Sequence, residues 1–230
     1  MPLGPRIALS MDVPPYRLSG TVYASLLNHR TALQALGEAV NRPPYNGAPQ
    51  APVLYLKPRN TLAADGEPVA LPPRVAELEI GASLGLVIGR PSCRLSEERA
   101  LEHVAGYLIV NDVSIPHLSY YRPSVPFKAR DGFCPLGSRV VPRAAVANPD
   151  ALTIRVNVDG ELKQTATTSQ LVRPVAKLLA DVTEFMTLSP GDILTVGVAS
   201  PAPRVRAGQR VRIEIDGLGA LENPFVEGAA

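Results

Sequence analysis

The spacing of apolar and polar positions predicts a chain built mostly from short strands. The segment from Ser83 to Gly89 is almost wholly apolar, which is typical of a strand that is largely buried. Other short apolar or alternating segments predict five more strands: Gly20–Leu27, Val53–Leu56, Tyr107–Val110, Ile193–Val198 and Arg210–Ile215.

A β-hairpin is predicted where Asp159-Gly160 separates two strand-like segments, 152–158 and 161–164. Both residues of an Asp-Gly pair adopt positive φ at low cost, so the pair favours a tight primed turn.

Three helices are predicted from amphipathic spacing and capping residues. The first covers 31–40, before a Pro-rich loop at 41–52. Ser96 and the glutamates after it predict the start of a second helix that runs through Val104. Thr168 or Ser169 is expected to cap the third helix, which ends near 184–186 and buries an apolar stripe: Leu171, Val175, Leu178, Leu179, Val182 and Phe185.

Composition favours a β-rich or α+β fold in one domain. The chain has 230 residues, of which 46% are hydrophobic, and this is enough to bury a substantial core. Its 24 prolines and 18 glycines keep the helical segments short. No repeat or linker divides the chain, so we expect an extension at 1–19 followed by a single domain at 20–230.

Charge and cysteine content exclude several classes of protein. The formal net charge is +2 and aromatic residues make up 5%, so neither a basic stripe nor a stacking platform for nucleic acid is visible. The start of the chain lacks the apolar run of a signal peptide, and no segment is apolar enough for a membrane span. We therefore expect a cytoplasmic protein whose two cysteines, Cys93 and Cys134, are reduced.

Several motifs follow one another in a fixed order: LVIGR at Leu86–Arg90, HVAGYLIVNDVS at His103–Ser114, KARDGFCPLG at Lys128–Gly137, VNVDGEL at Val156–Leu162 and LSPGDILTVG at Leu188–Gly197. Over residues 20–227 the chain resembles the fumarylacetoacetate hydrolase family. The resemblance implies an α+β fold with mixed β-sheets rolled around a central pocket.

Two further motifs are LNHR at Leu27–Arg30 and YLKPRNT at Tyr55–Thr61, and the KARDGFCPLG motif extends upstream to YYRPSVPFKARDGFCPLG at Tyr120–Gly137. These three resemble one branch of that family, the isomerase/decarboxylases of 4-hydroxyphenylacetate (homoprotocatechuate) catabolism. More narrowly, they resemble the amino-terminal half or separate first subunit of such an enzyme.

The family resemblance implies a Mg²⁺ or Mn²⁺ ion held by a Glu-x-Glu pair on one strand and a later Asp. Asp112 matches the later ligand. Aligned on LVIG, however, the two Glu positions hold Gly81 and Ser83, which carry no carboxylate. Asp112 alone would bind a divalent ion weakly, so we expect the metal to be absent or weakly bound in this chain.

An alternative pair, Glu77 and Glu79, lies four residues before the expected positions. The spacing keeps both side chains on one strand face, but four residues correspond to about 13 Å along a strand. Only a different register or a bulge would bring this pair to Asp112, and a solvated strand end is the alternative interpretation.

Three residues match positions that the family resemblance links to catalysis. Lys128 matches a lysine near the substrate, where an ammonium could bind a carboxylate or enolate oxygen. Asp131 would orient Lys128 or the adjacent loop. His29 lies near the position of a catalytic histidine in a lid, although a hydrogen-bonded turn residue is the alternative.

Four basic residues are candidates for binding an anionic substrate. The guanidinium groups of Arg122 and Arg130 can form bidentate bonds with carboxylates, and Lys57 and Arg59 of the YLKPRNT motif could face the same ligand. Structural ion pairs are the alternative for all four.

Two more positions affect the expected chemistry. Family members commonly have Gly-Thr where this chain has Gly197-Val198, and valine has no hydroxyl to offer. Cys134 is expected to be a buried structural thiol rather than a nucleophile.

The resemblance thus implies one subunit of an enzyme that decarboxylates 5-oxopent-3-ene-1,2,5-tricarboxylate and isomerises 2-hydroxyhepta-2,4-diene-1,7-dioate. We expect a homodimer that also assembles with a homologous second subunit carrying the complete metal site. Two alternatives stay open: a non-catalytic partner of an active homologue, and an autonomous hydrolase or decarboxylase that uses Glu77, Glu79 and Asp112.

Overall fold

The structure, a computed structural model, describes residues 11–13, 16–117 and 124–228. Its strands are β1 Asp12–Val13, β2 Tyr16–Arg17, β3 Val22–Leu26, β4 Val53–Lys57, β5 Leu62–Ala63, β6 Val69–Leu71, β7 Leu78–Glu79, β8 Ala82–Ile88, β9 Val104–Asn111, β10 Cys134–Pro135, β11 Val141–Pro142, β12 Thr153–Val158, β13 Glu161–Thr167, β14 Ile193–Thr195, β15 Arg204–Val205, β16 Arg210–Ile215 and β17 Gly219–Glu227. Its α-helices are α1 Arg30–Gln34, α2 Glu97–Ala100, α3 Val125–Lys128 and α4 Val175–Phe185, and 3₁₀ helices cover Gly37–Asn41, Arg59–Thr61, Leu101–His103, Arg143–Ala145 and Thr168–Gln170.

Two mixed sheets form the body of the protein. One has the strand order β11-β9-β8-β14-β3-β4, and the other has the order β13-β12-β16-β17-β6. Most neighbours are antiparallel, while β14 pairs with β3 and β17 with β6 in parallel. The predicted α+β class with mixed sheets is confirmed.

The main core joins both sheets and the longest helix. One cluster of buried side chains includes Leu84 of β8, Val156 of β12, Ile213 of β16 and Leu178 of α4. All seven residues of β8 are buried, in agreement with the apolar run from which this strand was predicted. Each fully buried side chain of this kind stabilises the fold by about 1.5–3 kcal/mol.

The functional region depends on the end of the β8–β9 pair. Ala82 lies opposite Asn111 and Ser83 opposite Val110. One step further, the Asp112 N–H donates to the carbonyl oxygen of Gly81 at 2.8 Å. This register places Gly81 directly beside Asp112.

The Asp-Gly hairpin is confirmed. Asp159 and Gly160 have φ angles of 51° and 82°, and they connect β12 to β13 as the turn chemistry predicted. Strand β13 continues to Thr167, beyond the predicted end at Gln164, because pairing with β12 extends to Thr153.

The helices differ from the prediction at their ends. The predicted helix at 31–40 is divided into α1 and a 3₁₀ turn, and Val104 belongs to β9 rather than to the second helix. The third helix begins at Val175, because Pro174 fixes its own φ and cannot donate an N–H to the preceding turn. Thr168 and Ser169 therefore lie in a separate 3₁₀ turn.

Among the described residues, no helix combines the length and the apolar character needed to cross a membrane.

Gly191 should be the least replaceable of the positive-φ glycines in turns. A Cβ at Gly191 would lie 2.1 Å from the carbonyl oxygen of Arg17, whereas a Cβ at Gly217 would meet no atom within 4 Å. Both have positive φ, so alanine costs about 1–2 kcal/mol at either position, and crowding adds about 1–3 kcal/mol at Gly191 alone. In urea unfolding, the free energy of unfolding of Gly191→Ala should be well below that of Gly217→Ala. Equal losses of stability in the two variants would contradict the close approach.

Candidate functional site

The centre of the candidate site is the carboxylate of Asp112. It follows the last residue of β9 and is only 2% exposed. Two ammonium groups contact it: Lys57 Nζ lies 2.7 Å from Oδ1, and Lys128 Nζ lies 3.0 Å from Oδ2. The Tyr55 hydroxyl also donates to Oδ2. Three charges are therefore buried together beside one aromatic ring.

Electrostatics keep this carboxylate ionised. Burial alone would raise the pKa of Asp112, but the ammonium groups of Lys128 and Lys57 and the Tyr55 hydrogen bond outweigh it and lower the pKa to about 2. Burial also lowers the pKa of Lys57, and the nearby Asp112 carboxylate opposes that shift.

The Lys57 ammonium is bound to the main chain of neighbouring segments. It donates to the carbonyl oxygens of Val113, Lys128 and Phe133 at 2.7–2.8 Å, and the residue is 1% exposed. These bonds use all three N–H groups and connect β4 to the segments on both sides of α3. These bonds fit the structural alternative for Lys57, and its role in substrate binding stays a prediction.

A small cavity of about 100 Å³ lies above the Asp112 carboxylate. Its polar lining comprises Ser25, Tyr55, Glu79, Asp112, Ser114, His117, Lys128 and Ser200. The rest of the lining is apolar or glycine: Leu26, Leu27, Ala32, Gly81, Val198, Ala199 and Ala202. Three predicted site residues, Lys128, Asp112 and Glu79, thus line one cavity.

Lys128 is the cation that faces this cavity. It is the last residue of α3, its side chain is 10% exposed, and its Nζ lies 4.8 Å from the centre of the Tyr55 ring. A cation over the face of an aromatic ring is attracted by the ring quadrupole. Tyr55 therefore holds both partners of the Lys128–Asp112 pair.

His29 is a capping residue and not part of the cavity lining. Its Nδ1 accepts the Thr31 N–H at the start of α1, and its Nε2 lies 3.3 Å from the Thr167 carbonyl oxygen, to which it donates. The residue is 4% exposed, and burial lowers the pKa of His29. Both ring nitrogens serve the local fold, which fits the alternative of a hydrogen-bonded turn residue, and the catalytic role of His29 stays a prediction.

Asp131, Arg130 and Arg59 lie outside the cavity. Asp131 is exposed and accepts a 2.7 Å hydrogen bond from Asn60, so it holds the adjacent loop rather than Lys128. Arg130 donates to the Pro126 carbonyl oxygen. Arg59 lines a separate open depression together with Arg17. None of these three lines the cavity, and their predicted roles stay predictions. Arg122 lies outside the described residues.

The alternative metal ligands are engaged in ion pairs. Glu77 accepts two hydrogen bonds from Arg206, at 2.7 and 2.9 Å, and Glu79 lies 3.3 Å from Arg204. In the described part of the chain, no group of three or more His, Cys, Asp or Glu side chains could hold a metal ion. The set Glu77, Glu79 and Asp112 is therefore not assembled, because the arginines of β15 and the loop after it neutralise the first two.

The donor set at Asp112 does not fit a divalent ion. Asp112 Oδ1 accepts no hydrogen bond from the described residues, but Lys57 Nζ lies against it and would repel a cation. Ser83 donates its hydroxyl to the Gly197 carbonyl oxygen at 2.8 Å. A Cβ at Gly81 would lie 2.3 Å from the Asp112 carbonyl oxygen. The two main chains therefore approach too closely here for a side chain at Gly81.

Two further expectations concern the cavity and its surroundings. Val198 does line the cavity, where it presents an apolar group. Cys134 is fully buried, and burial raises its pKa to about 12. Such a thiol stays protonated, as expected for a structural cysteine.

Sequence reasoning assigned no role to Tyr55, Ser114 or His117, although all three line the cavity. A signal existed for Tyr55: it lies two residues before Lys57 in a strand, so both side chains share one face. His117 stacks on Phe127 with ring centres 4.8 Å apart, a contact that sequence spacing does not reveal.

Comparison with known proteins matches this architecture to one family. Residues 21–226 match the model of the fumarylacetoacetate (FAA) hydrolase C-terminal domain. The chain belongs to the fumarylacetoacetate hydrolase family. It is 43% identical over 209 residues to the 4-hydroxyphenylacetate degradation bifunctional isomerase/decarboxylase of Salmonella dublin, and 40% identical over 210 residues to that of Escherichia coli.

These matches cover 91% of this chain and 48% of each relative, so the chain spans about half the length of the curated relatives it matches. The predicted resemblance to such isomerase/decarboxylases is confirmed. Its correspondence to their amino-terminal half stays a prediction.

Solved structures of the family have the same fold. A 5-carboxymethyl-2-hydroxymuconate delta-isomerase from Mycobacterium smegmatis is 30% identical, with a TM-score of 0.79 over 93% of this chain and 81% of that chain. The fumarylpyruvate hydrolase of Pseudomonas aeruginosa, solved with Mn²⁺ and pyruvate, is 28% identical, with a TM-score of 0.79 over 93% and 91%. A divalent ion therefore occurs in the family, whereas the donors at Asp112 in this chain do not suit one.

Removing the Asp112 carboxylate should destabilise the protein strongly. Asp112→Asn leaves the Lys57 and Lys128 ammonium groups buried without a counter-charge, at a cost of about 3–5 kcal/mol. Glu161→Gln removes a carboxylate from an exposed pair with Lys163 and should cost less than about 1 kcal/mol. Urea unfolding at neutral pH gives both values, and similar losses would show that the buried cluster is not important for stability.

The same variant tests the lowered pKa of Asp112. The pKa of Asp112 is about 2 in the folded protein and 3.8 in the unfolded chain. The ionised carboxylate therefore contributes stability above pH 4, and this stability is lost as the pH falls through 2. The contribution amounts to about 2 kcal/mol. The stability difference between wild type and Asp112→Asn should therefore shrink between pH 4 and pH 2, and a constant difference would contradict the assignment.

Proposed function

We propose that the chain is one subunit of a decarboxylase and isomerase in 4-hydroxyphenylacetate catabolism. Its substrates would be 5-oxopent-3-ene-1,2,5-tricarboxylate and 2-hydroxyhepta-2,4-diene-1,7-dioate. The 40–43% identity to bifunctional isomerase/decarboxylases of that degradation supports this proposal. So does the similarity, at 29% identity and a TM-score of 0.74, to the 2-hydroxyhepta-2,4-diene-1,7-dioate isomerase of Mycobacterium marinum.

The observation that carries the proposal is the buried cluster of Lys57, Asp112 and Lys128 in place of a metal ligand set. Gly81 and Ser83 provide no carboxylate, and the one carboxylate at the centre is neutralised by ammonium groups. The chain therefore works with a homologous second subunit that carries Glu-x-Glu in register.

Within its own cavity, the chain can bind and orient an anionic substrate. The Lys128 ammonium attracts a carboxylate or enolate oxygen, while Asp112 and Tyr55 fix its position. The apolar wall formed by Val198 and Ala199 limits water beside the bound group. One ammonium stabilises a developing enolate only in part, because it cannot chelate two adjacent oxygens.

Two other functions fit the site less well. An autonomous hydrolase or decarboxylase would need Glu77 and Glu79 as ligands, and both are held by arginines. A purely non-catalytic partner of an active homologue is the second candidate, and the neutralised Asp112 is the observation that favours it. The activity of the assembled pair separates these possibilities.

The assembly follows from the same argument. A subunit without its own ligand set acts in turnover only when it is bound to a complete one. We propose a homodimer for the isolated chain and a hetero-assembly when the second subunit is present. Strand edges of the two large sheets and the closing segment from Ile213 to Phe225 are the proposed contacts.

Turnover of separate and mixed subunits tests the proposal. CO₂ release and dienedioate isomerisation should be slower for the isolated chain than for the mixture by at least about 100-fold, since its cavity lacks most of the oxyanion stabilisation. In the mixture, Lys128→Met should lower the rate, and the exposed control Lys163→Met should not.

Sedimentation of the same samples should show the dimer and the hetero-assembly. Full metal-dependent activity of this chain alone, abolished by Asp112→Ala, would contradict the proposal. A strict monomer under both conditions would contradict the assembly.

A further inference from the structure

The buried cluster of Lys57, Asp112 and Lys128 beside the cavity carries an excess positive charge. Two ammonium groups, those of Lys57 and Lys128, surround the single carboxylate of Asp112, and each of the three residues is at least nine-tenths buried. The other carboxylate of the cavity wall, Glu79, is paired with Arg204. A buried charge without a counter-ion is unfavourable, so the cavity is suited to an anion.

The excess charge is presented by Lys128 and not by Lys57. All three N–H groups of Lys57 are donated to main-chain carbonyls. Within the described ranges, Lys128 has one hydrogen-bond acceptor, Asp112 Oδ2 at 3.0 Å. Its ammonium therefore retains two N–H groups at a cavity-facing position.

Three of the neighbouring hydroxyls do not compete for the role of anion donor. Ser25 donates to the Thr195 carbonyl oxygen, Ser114 to the Ile115 carbonyl oxygen and Tyr55 to Asp112. Each of these three groups thus directs its proton into the protein. Lys128 is the charged donor that a ligand in the cavity would meet.

We infer that Lys128 and the cavity above it form a metal-independent site for the carboxylate of a small organic acid. In place of a divalent ion, the ammonium supplies the positive charge, and two of its N–H groups donate to the ligand's carboxylate. A volume of about 100 Å³ admits a short acid, since a single water needs roughly 10–15 Å³. The inference deepens the proposed function and rests on it only for the identity of the natural acid.

The excess charge also predicts how the removal of the Lys128 ammonium affects the stability of the protein. Lys128→Met leaves a balanced pair of Lys57 and Asp112, so the variant should unfold at a urea midpoint no lower than that of wild type. A purely structural ion-pair partner would behave in the opposite way. Losing ligand binding without losing stability identifies a residue that is kept for its ligand.

The test is an NMR titration of the ¹⁵N-labelled chain with acetate and glycolate in the presence of EDTA. Both acids should shift amide signals near Lys128 and Ser114, and the neutral analogue acetamide should not. Lys128→Met should weaken acetate binding by at least about tenfold, whereas the exposed control Lys163→Met should leave it unchanged.

Several results would overturn the inference. They are no acid-dependent shifts in wild type, shifts that appear only after Mg²⁺ or Mn²⁺ is added, shifts confined to residues away from the cavity, and unchanged acetate binding in Lys128→Met. A loss of stability in Lys128→Met as large as that in Asp112→Asn would also overturn it. If acetate binds but the mixed subunits do not turn over the tricarboxylate, the proposed function fails while this site stands.

Discussion

The contact between the Lys57 ammonium and the Asp112 carboxylate is the interaction on which the rest of the site depends. Lys57 also donates to three carbonyl oxygens that come from both sides of α3. One side chain thus joins the edge strand β4 to the residue after Asp112, to the end of α3 and to the segment after α3. Because breaking a buried pair leaves a charge without a partner, this contact holds Asp112 and Lys128 in place beside the cavity.

The charges of Lys57, Asp112 and Lys128 determine which kind of ligand the cavity can bind. A divalent ion beside Asp112 would meet two ammonium groups and one carboxylate, and the electrostatic repulsion is strong at such distances in a buried site. The close approach of Gly81 to the Asp112 main chain is the steric counterpart of this electrostatic change. The missing carboxylates and the neutralised charge of Asp112 are therefore two parts of one arrangement, in which Lys128 offers positive charge to an anion.

Much of the fold could be predicted because its signals are local. Alternation, the Asp-Gly turn and the apolar run of β8 identified the strands, and alignment on the LVIG motif identified Gly81 and Ser83 as the positions where the family carries its glutamates. Helix ends were less predictable, since Pro174 outweighs the capping preference of Thr168 and Ser169.

The site was harder to predict, because its roles depend on contacts between distant segments. Sequence could not show that Lys57 turns inward to three carbonyls or that His29 caps α1 and reaches Thr167. The pairing of Glu77 with Arg206 likewise joins segments more than a hundred residues apart. Lys128 and Asp112 were identified because the family motifs fixed their positions along the chain.

The most direct test of the account is a crystal structure of the isolated chain grown with Mn²⁺, with anomalous diffraction measured to locate the metal. The account predicts no manganese peak in contact with Asp112, and ammonium groups of Lys57 and Lys128 at their ion-pair distances of 2.7 and 3.0 Å from its carboxylate. A manganese peak about 2.1 Å from the Asp112 oxygens, with either lysine displaced, would contradict it.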